Sequence, residues 1–194
     1  MLGLKLSTDP RWVHIVESNI DEILTDHAYC EQKAASNAIS IIVNFPEYSD
    51  LVEAMTDIVR EEMTHFRMVH DIIVSRGGVL GRERKDDYVN ELLKFIRIPH
   101  RRREESFVDR LLLAAMIEAR SCERFRVLSE NIKDEFLSGF YRDLMISEAN
   151  HYTTFIGFAR KYGQDVDVDK RWQEFLEYEA TVIARYGKSE TIHG

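Results

Sequence analysis

EEMTHF at residues 61–66 and SEANHY at residues 147–152 each carry a glutamate followed three positions later by a histidine, Glu62–His65 and Glu148–His151. On a helix, positions i and i+3 lie on one face about a turn apart, so each pair presents a carboxylate and an imidazole to the same neighbour. One such pair means little in a glutamate-rich chain, and the context decides. Thirty-one residues before Glu62 stands Glu31, and thirty before Glu148 stands Glu118. The chain therefore repeats a helix with one glutamate followed by a helix with Glu-x-x-His. That repeat is the ligand pattern of di-iron and di-manganese carboxylate helix bundles.

The surroundings of these residues are apolar. At helical spacing Glu31 is accompanied by Leu24, Ala34, Ala35 and Ala38, and Glu62 with His65 by Met55, Ile58, Val69 and Ile73. Glu148 and His151 are accompanied by Tyr141, Leu144, Phe155 and Ala159. Carboxylates aimed into a core are costly unless a cation neutralises them, and two divalent metals would do so. Glu118 has a rival in Glu123. The Glu118 face carries Leu111, Ala115, Cys122 and Phe125, whereas the Glu123 face carries Arg120, Arg126 and Glu130. Burial selects Glu118 and leaves Glu123 to a surface pair with an arginine. His27, one turn before Glu31, reads as an outer-shell group or a structural histidine, while His14, His70, His100 and His193 show no partner pattern.

Outward from the motifs, apolar residues recur at helical rather than alternating spacing, and only three prolines and nine glycines interrupt them. Asp9-Pro10 predicts a helix start, with a helix over 10–43. Pro46 opens a second over 46–76, stopped by Gly77-Gly78. Residues 79–105 are mixed, with a short amphipathic segment over 88–96. Long helices follow over 106–131 and 134–162, the latter stopping at Gly163, and a shorter one over 170–186. Short loops make each long pair antiparallel, and the 79–105 segment supplies the crossover. The expected fold is an all-α, ferritin-like four-helix bundle with one long crossover and an additional C-terminal helix.

A length of 194 residues suits a single domain, 1–194, and is short for two. No apolar run approaches the roughly 20 residues that span a bilayer, and the first residues do not read as a signal peptide, so a cytoplasmic protein is expected. Two cysteines, Cys30 and Cys122, exclude a disulfide framework, a four-thiolate metal site and a built-in rubredoxin domain. They read as small buried side chains. A net charge of −8 argues against a general nucleic-acid coat. The local exception is the basic run Arg97, His100, Arg101, Arg102 and Arg103, readable as a solvated loop or as a phosphate contact. Two irons held mainly by oxygen suit reductive activation of dioxygen, but ferroxidases, catalases, peroxidases and hydroxylases share such ligands. An iron-storage ferroxidase or a peroxide scavenger is therefore the alternative class.

DHAYCEQKAAS at Asp26–Ser36, EEMTHF at Glu61–Phe66, EARSCERF at Glu118–Phe125 and FYRDLMISEANHY at Phe140–Tyr152 together resemble the tRNA 2-methylthio-N6-isopentenyladenosine hydroxylase family. The resemblance runs through essentially the whole chain. It implies a non-haem di-iron monooxygenase that hydroxylates the isopentenyl side chain of a hypermodified adenosine beside the tRNA anticodon. Such an enzyme uses dioxygen and two electrons from an external electron-transfer protein. Carried over by motif, the metal ligands are Glu31, Glu62, His65, Glu118, Glu148 and His151. A tRNA substrate also gives Arg97, Arg101, Arg102 and Arg103 a role as phosphate contacts, with recognition confined to an exposed base and its neighbouring phosphates.

Overall fold

The computed structural model describes residues 2–97, 103–186 and 191–193. These form α1 (Trp12–Ser18), α2 (Ile20–Asn44), α3 (Ser49–Ser75), α4 (Asp87–Leu93), α5 (Arg103–Asn131), α6 (Glu135–Tyr162) and α7 (Val168–Tyr186), with no strand among them. No described helix is long and apolar enough to cross a membrane. The chain groups into two compact units. One is built around α2 and α3, and the other around α4 to α7 with the N-terminal residues up to His14.

In the first unit, α2 and α3 are joined by a loop of four residues, 45–48, and pack along each other as an antiparallel pair. On α2 the buried positions include Leu24, Ala28, Glu31, Ala35 and Ala38, and on α3 Leu51, Met55, Ile58, Glu62, His65, Val69 and Ile72. These steps alternate between four and three residues, the average of 3.5 that keeps a seam turned to a partner helix. Glu31, Glu62 and His65 therefore occupy core slots of an otherwise apolar seam. The α3 helix ends where Gly77 takes φ +80°, a conformation costly for residues with a Cβ. There the Gly77 and Gly78 amides donate to Val74 O and Ile73 O, at 2.9 and 3.0 Å.

The expected continuous helix over 10–43 is interrupted at Asn19, with φ −134° and ψ 37°. Its side-chain amide donates to Ile15 O at 2.9 Å, the carbonyl that its own backbone N–H would reach in an unbroken helix. The backbone N–H goes instead to Val16 O at 3.1 Å.

The second unit repeats the seam. Leu111, Ala115, Glu118, Cys122 and Phe125 of α5, and Leu137, Tyr141, Leu144, Glu148, His151 and Phe155 of α6, are buried at the same alternating spacing. Asp134 caps α6 by accepting from the Leu137 N–H at 3.1 Å. In this unit α5 is buried on nearly every face, because α4 and α7 lie against it as well as α6. Trp12 packs beneath the buried guanidinium of Arg124, 4.0 Å from the ring centroid, and Trp172 lies 5.8 Å from the Tyr152 ring. Burial, with Arg120 alongside, brings the Arg124 pKa down to about 10.

Gly163 ends α6 by close approach, not by a left-handed turn. A Cβ there would meet Val108 Cγ2 at 2.6 Å, Ala159 O at 2.7 Å and Val168 Cγ2 at 2.9 Å. Gly163→Ala is expected to lower the unfolding free energy by about 1–3 kcal/mol, the usual range for overpacking. A urea midpoint equal to the parent's would contradict this.

Candidate metal centre

The α2–α3 seam brings Glu31, Glu62 and His65 together, with a ligand atom of each within 4.8 Å of the others. His65 Nδ1 lies 3.7 Å from Glu31 Oε2 and 3.6 Å from Glu62 Oε2. Glu31 is 4 % exposed, Glu62 0 % and His65 6 %. Burial alone would raise the Glu31 pKa, but the His27 imidazole in hydrogen-bond contact and the His65 imidazole nearby outweigh it and hold the carboxyl well below its usual range. Burial acts to lower the His65 pKa, and the two carboxylates overcome it, raising the value to about 9. The outer-shell reading of His27 has a geometric counterpart, since its Nε2 lies 2.6 Å from Glu31 Oε1.

The α5–α6 seam repeats the set. Glu118, Glu148 and His151 each offer a ligand atom within 4.8 Å of the others, and His151 Nδ1 lies 3.8 Å from Glu118 Oε2. All three are buried. In each half the imidazole Nδ1 faces Oε2 of the lone glutamate on the companion helix. Two carboxylates and one imidazole per half leave buried negative charge, and this oxygen-rich donor set with one nitrogen suits a divalent transition metal. These buried Glu/His clusters fit a metal centre.

Glu123 stands apart from both sets. It is paired with an arginine as expected, but the pair is not at the surface. Arg120 Nη1 donates to Glu123 Oε2 at 3.0 Å, and the Thr8 N–H and hydroxyl donate to the same carboxylate at 2.9 and 2.5 Å. Arg120, 0 % exposed, also donates to Glu179 Oε1 on α7 from Nε at 2.9 Å and from Nη2 at 2.7 Å. The N-terminal segment and α7 cover Arg120 and Glu123, while Arg126 and Glu130, farther along the same face of α5, are exposed and pair with each other at 3.1 Å.

Burial pushes the Cys122 thiol up to about 11, which suits a packing side chain and not a thiolate ligand. His193, without any partner pattern in the sequence, is buried with Nε2 2.9 Å from Ser121 Oγ and Nδ1 3.2 Å from Asp86 Oδ2. Arg97 is engaged internally. Its backbone N–H, Nε and Nη2 contact the Asp109 carboxylate at 2.8, 3.0 and 2.8 Å. Arg103 is exposed at the start of α5, three residues earlier than the helix expected over 106–131. Arg101 and Arg102 lie outside the described residues.

Residues 2–194 match the family described as tRNA-(MS[2]IO[6]A)-hydroxylase (MiaE). The chain belongs to this family. Among curated relatives, the tRNA 2-(methylsulfanyl)-N(6)-isopentenyladenosine(37) hydroxylase of Pseudomonas putida is 35 % identical over 161 residues, 83 % of this chain and 77 % of that protein. The protein of the same name from Salmonella typhimurium is 27 % identical, over 90 % of this chain and 80 % of its own length. Among solved structures, Protein 43 with aldehyde deformylating oxygenase activity, from Synechococcus, superposes with a TM-score of 0.89 at 29 % identity, covering 98 % of this chain and 95 % of that one. The MiaE-family chain is thus all-helical with a ferritin-like fold, as the helix order and loop lengths predict.

Proposed function

We propose that this MiaE-family chain is a tRNA hydroxylase that inserts oxygen into the isopentenyl side chain of 2-methylthio-N6-isopentenyladenosine. Glu31, Glu62, His65, Glu118, Glu148 and His151 are its ligands to two iron ions within a single catalytic domain. The observation that carries this reading is the pair of matched, buried Glu/Glu/His sets in a chain that matches the family from residue 2 to its last. When bound, the iron pair would supply the chemistry of dioxygen activation, for which two electrons would come from an external reductase. The chain's own contribution is the apolar seam around both sets, which keeps water from the oxidising centre and fixes the ligands by helix packing. A tRNA substrate places the enzyme in the cytoplasm. Neither curated relative is named for iron storage or peroxide removal, the alternative class that the ligand pattern admits.

The test is nucleoside analysis of tRNA bearing the modified adenosine after incubation with iron-loaded protein, oxygen and a reductant. One added oxygen on the isopentenyl group is expected. Unchanged nucleoside, with iron oxidised equally well in its absence, would favour the storage class. Phosphate contact is assigned to Arg101, Arg102 and Arg103. Changing all three to Ala should weaken tRNA binding and reduce the slope of log affinity against log salt by about 2, since each lost phosphate contact removes roughly 0.7–0.9. Oxidation of the isolated modified nucleoside should be nearly unchanged. An unaltered salt slope would remove this segment from the docking surface.

A further inference from the structure

We propose that His27 is a positioning residue for Glu31, its Nε2–H holding Oε1 so that Oε2, the oxygen on the His65 side, serves as the metal donor. The inference deepens the six-ligand reading and rests on it. The two oxygens of Glu31 already have different neighbours: Oε1 lies 2.6 Å from His27 Nε2, and Oε2 lies 3.7 Å from His65 Nδ1. An ionised carboxylate only accepts hydrogen bonds, so Nε2 carries the proton between them. His27 is 0 % exposed and precedes Glu31 by one helical turn, so the ring is held by the same helix that presents the carboxylate. Its role is distinct from ligation: the donor atoms of Glu31, Glu62 and His65 lie mutually within 4.8 Å, while His27 Nε2 is turned to Oε1 of Glu31. A carboxylate with one oxygen tied by a donor is restricted in rotation and offers the other oxygen in a fixed direction, and losing such an outer partner typically costs 10–100-fold in metal affinity.

The rival reading is a helical His–Glu pair at i and i+4 that supports only the fold. Anaerobic titration with Fe(II), followed by Mössbauer spectroscopy, separates the two, using the parent protein, His27→Leu, His27→Gln and Glu31→Ala. A glutamine places its amide N–H near the position of Nε2, and leucine removes the donor at similar size. His27→Leu is expected to bind Fe(II) about 10-fold or more weakly. Its helix content should be unchanged, and the quadrupole splitting of one iron site should be altered. His27→Gln should recover most of the affinity and the parent spectrum. If the leucine variant does not fold, His27→Asn, too short to reach Oε1, takes its place with the same expectation. Parent-like affinity and spectrum in the donor-lacking variant would overturn the proposal. So would loss of iron from His27→Gln as complete as from Glu31→Ala, which would make His27 a ligand. Equal Fe(II) binding by the parent and Glu31→Ala would instead refute the six-ligand assignment, a result distinguishable from failure of the His27 proposal.

Discussion

Glu118→Ala is expected to yield a folded protein nearly devoid of iron, with turnover reduced by more than about 100-fold, the upper end for a mere outer-shell change. Glu123→Ala, five residues along the same helix, is expected to keep its iron and lose stability. Glu118 occupies an apolar seam slot 3.8 Å from His151 Nδ1, whereas Glu123 is tied to Arg120 and Thr8. Removing Glu118 relieves buried negative charge and deletes a donor. Removing Glu123 strips Arg120 of one of two buried carboxylate partners and leaves the Thr8 amide and hydroxyl without their acceptor. Breaking a buried ion pair from one side costs on the order of 3 kcal/mol. Iron quantification and urea denaturation of both purified variants check the two halves of the expectation. Iron loss from Glu123→Ala with a parent-like midpoint would reverse the assignment.

A comparable loss of stability is expected from Asp109→Ala. Its carboxylate, 0 % exposed, receives Arg97 from the segment after α4 and Arg171 from α7, the latter through Nε and Nη2, both at 2.9 Å. Arg171 also lies 4.2 Å from the Phe95 ring centroid and cannot reach water without disrupting that packing. Deleting the acid leaves the buried Arg171 guanidinium, and the partly exposed one of Arg97, without their shared acceptor, for a cost of roughly 3 kcal/mol. Burial tends to raise the Asp109 pKa, but the two arginines outweigh it and lower the value. Its contribution is therefore fully present above the unfolded pKa of about 3.9 and is lost as pH falls through the lower folded value. Asp109→Asn should accordingly differ most from the parent near neutrality and converge with it in strong acid. Parallel stability curves down to low pH would contradict the ion-pair account.

Legibility of the chain followed the range of the interactions involved. The α2, α3, α5 and α6 seams were readable because a helical core repeats every three or four residues, and a glutamate or histidine in an apolar slot stands out against it. Glu31, Glu62, His65, Glu118, Glu148 and His151 all sit in such slots. The His27–Glu31 contact was open to the same reading, since it spans one turn. What depended on distant partners was not legible. The burial of Glu123 needs α7 and Thr8, and the engagement of Arg97 needs Asp109. The place of His193 needs Ser121, 72 residues away. The break at Asn19 is local but rests on a side-chain amide displacing its own backbone donor, which no periodicity reveals.

The position of Trp12 under Arg124 and of Trp172 beside Tyr152 has an optical consequence. Both tryptophans belong to the unit of α4 to α7, and residues 15–85 contain none. Intrinsic fluorescence thus watches one unit, while far-ultraviolet circular dichroism watches the helices of both. Superimposable denaturation curves from the two signals would mark a single cooperative step. Ellipticity lost ahead of fluorescence would assign the earlier melting to α2 and α3, and with them to the helices that carry Glu31, Glu62 and His65.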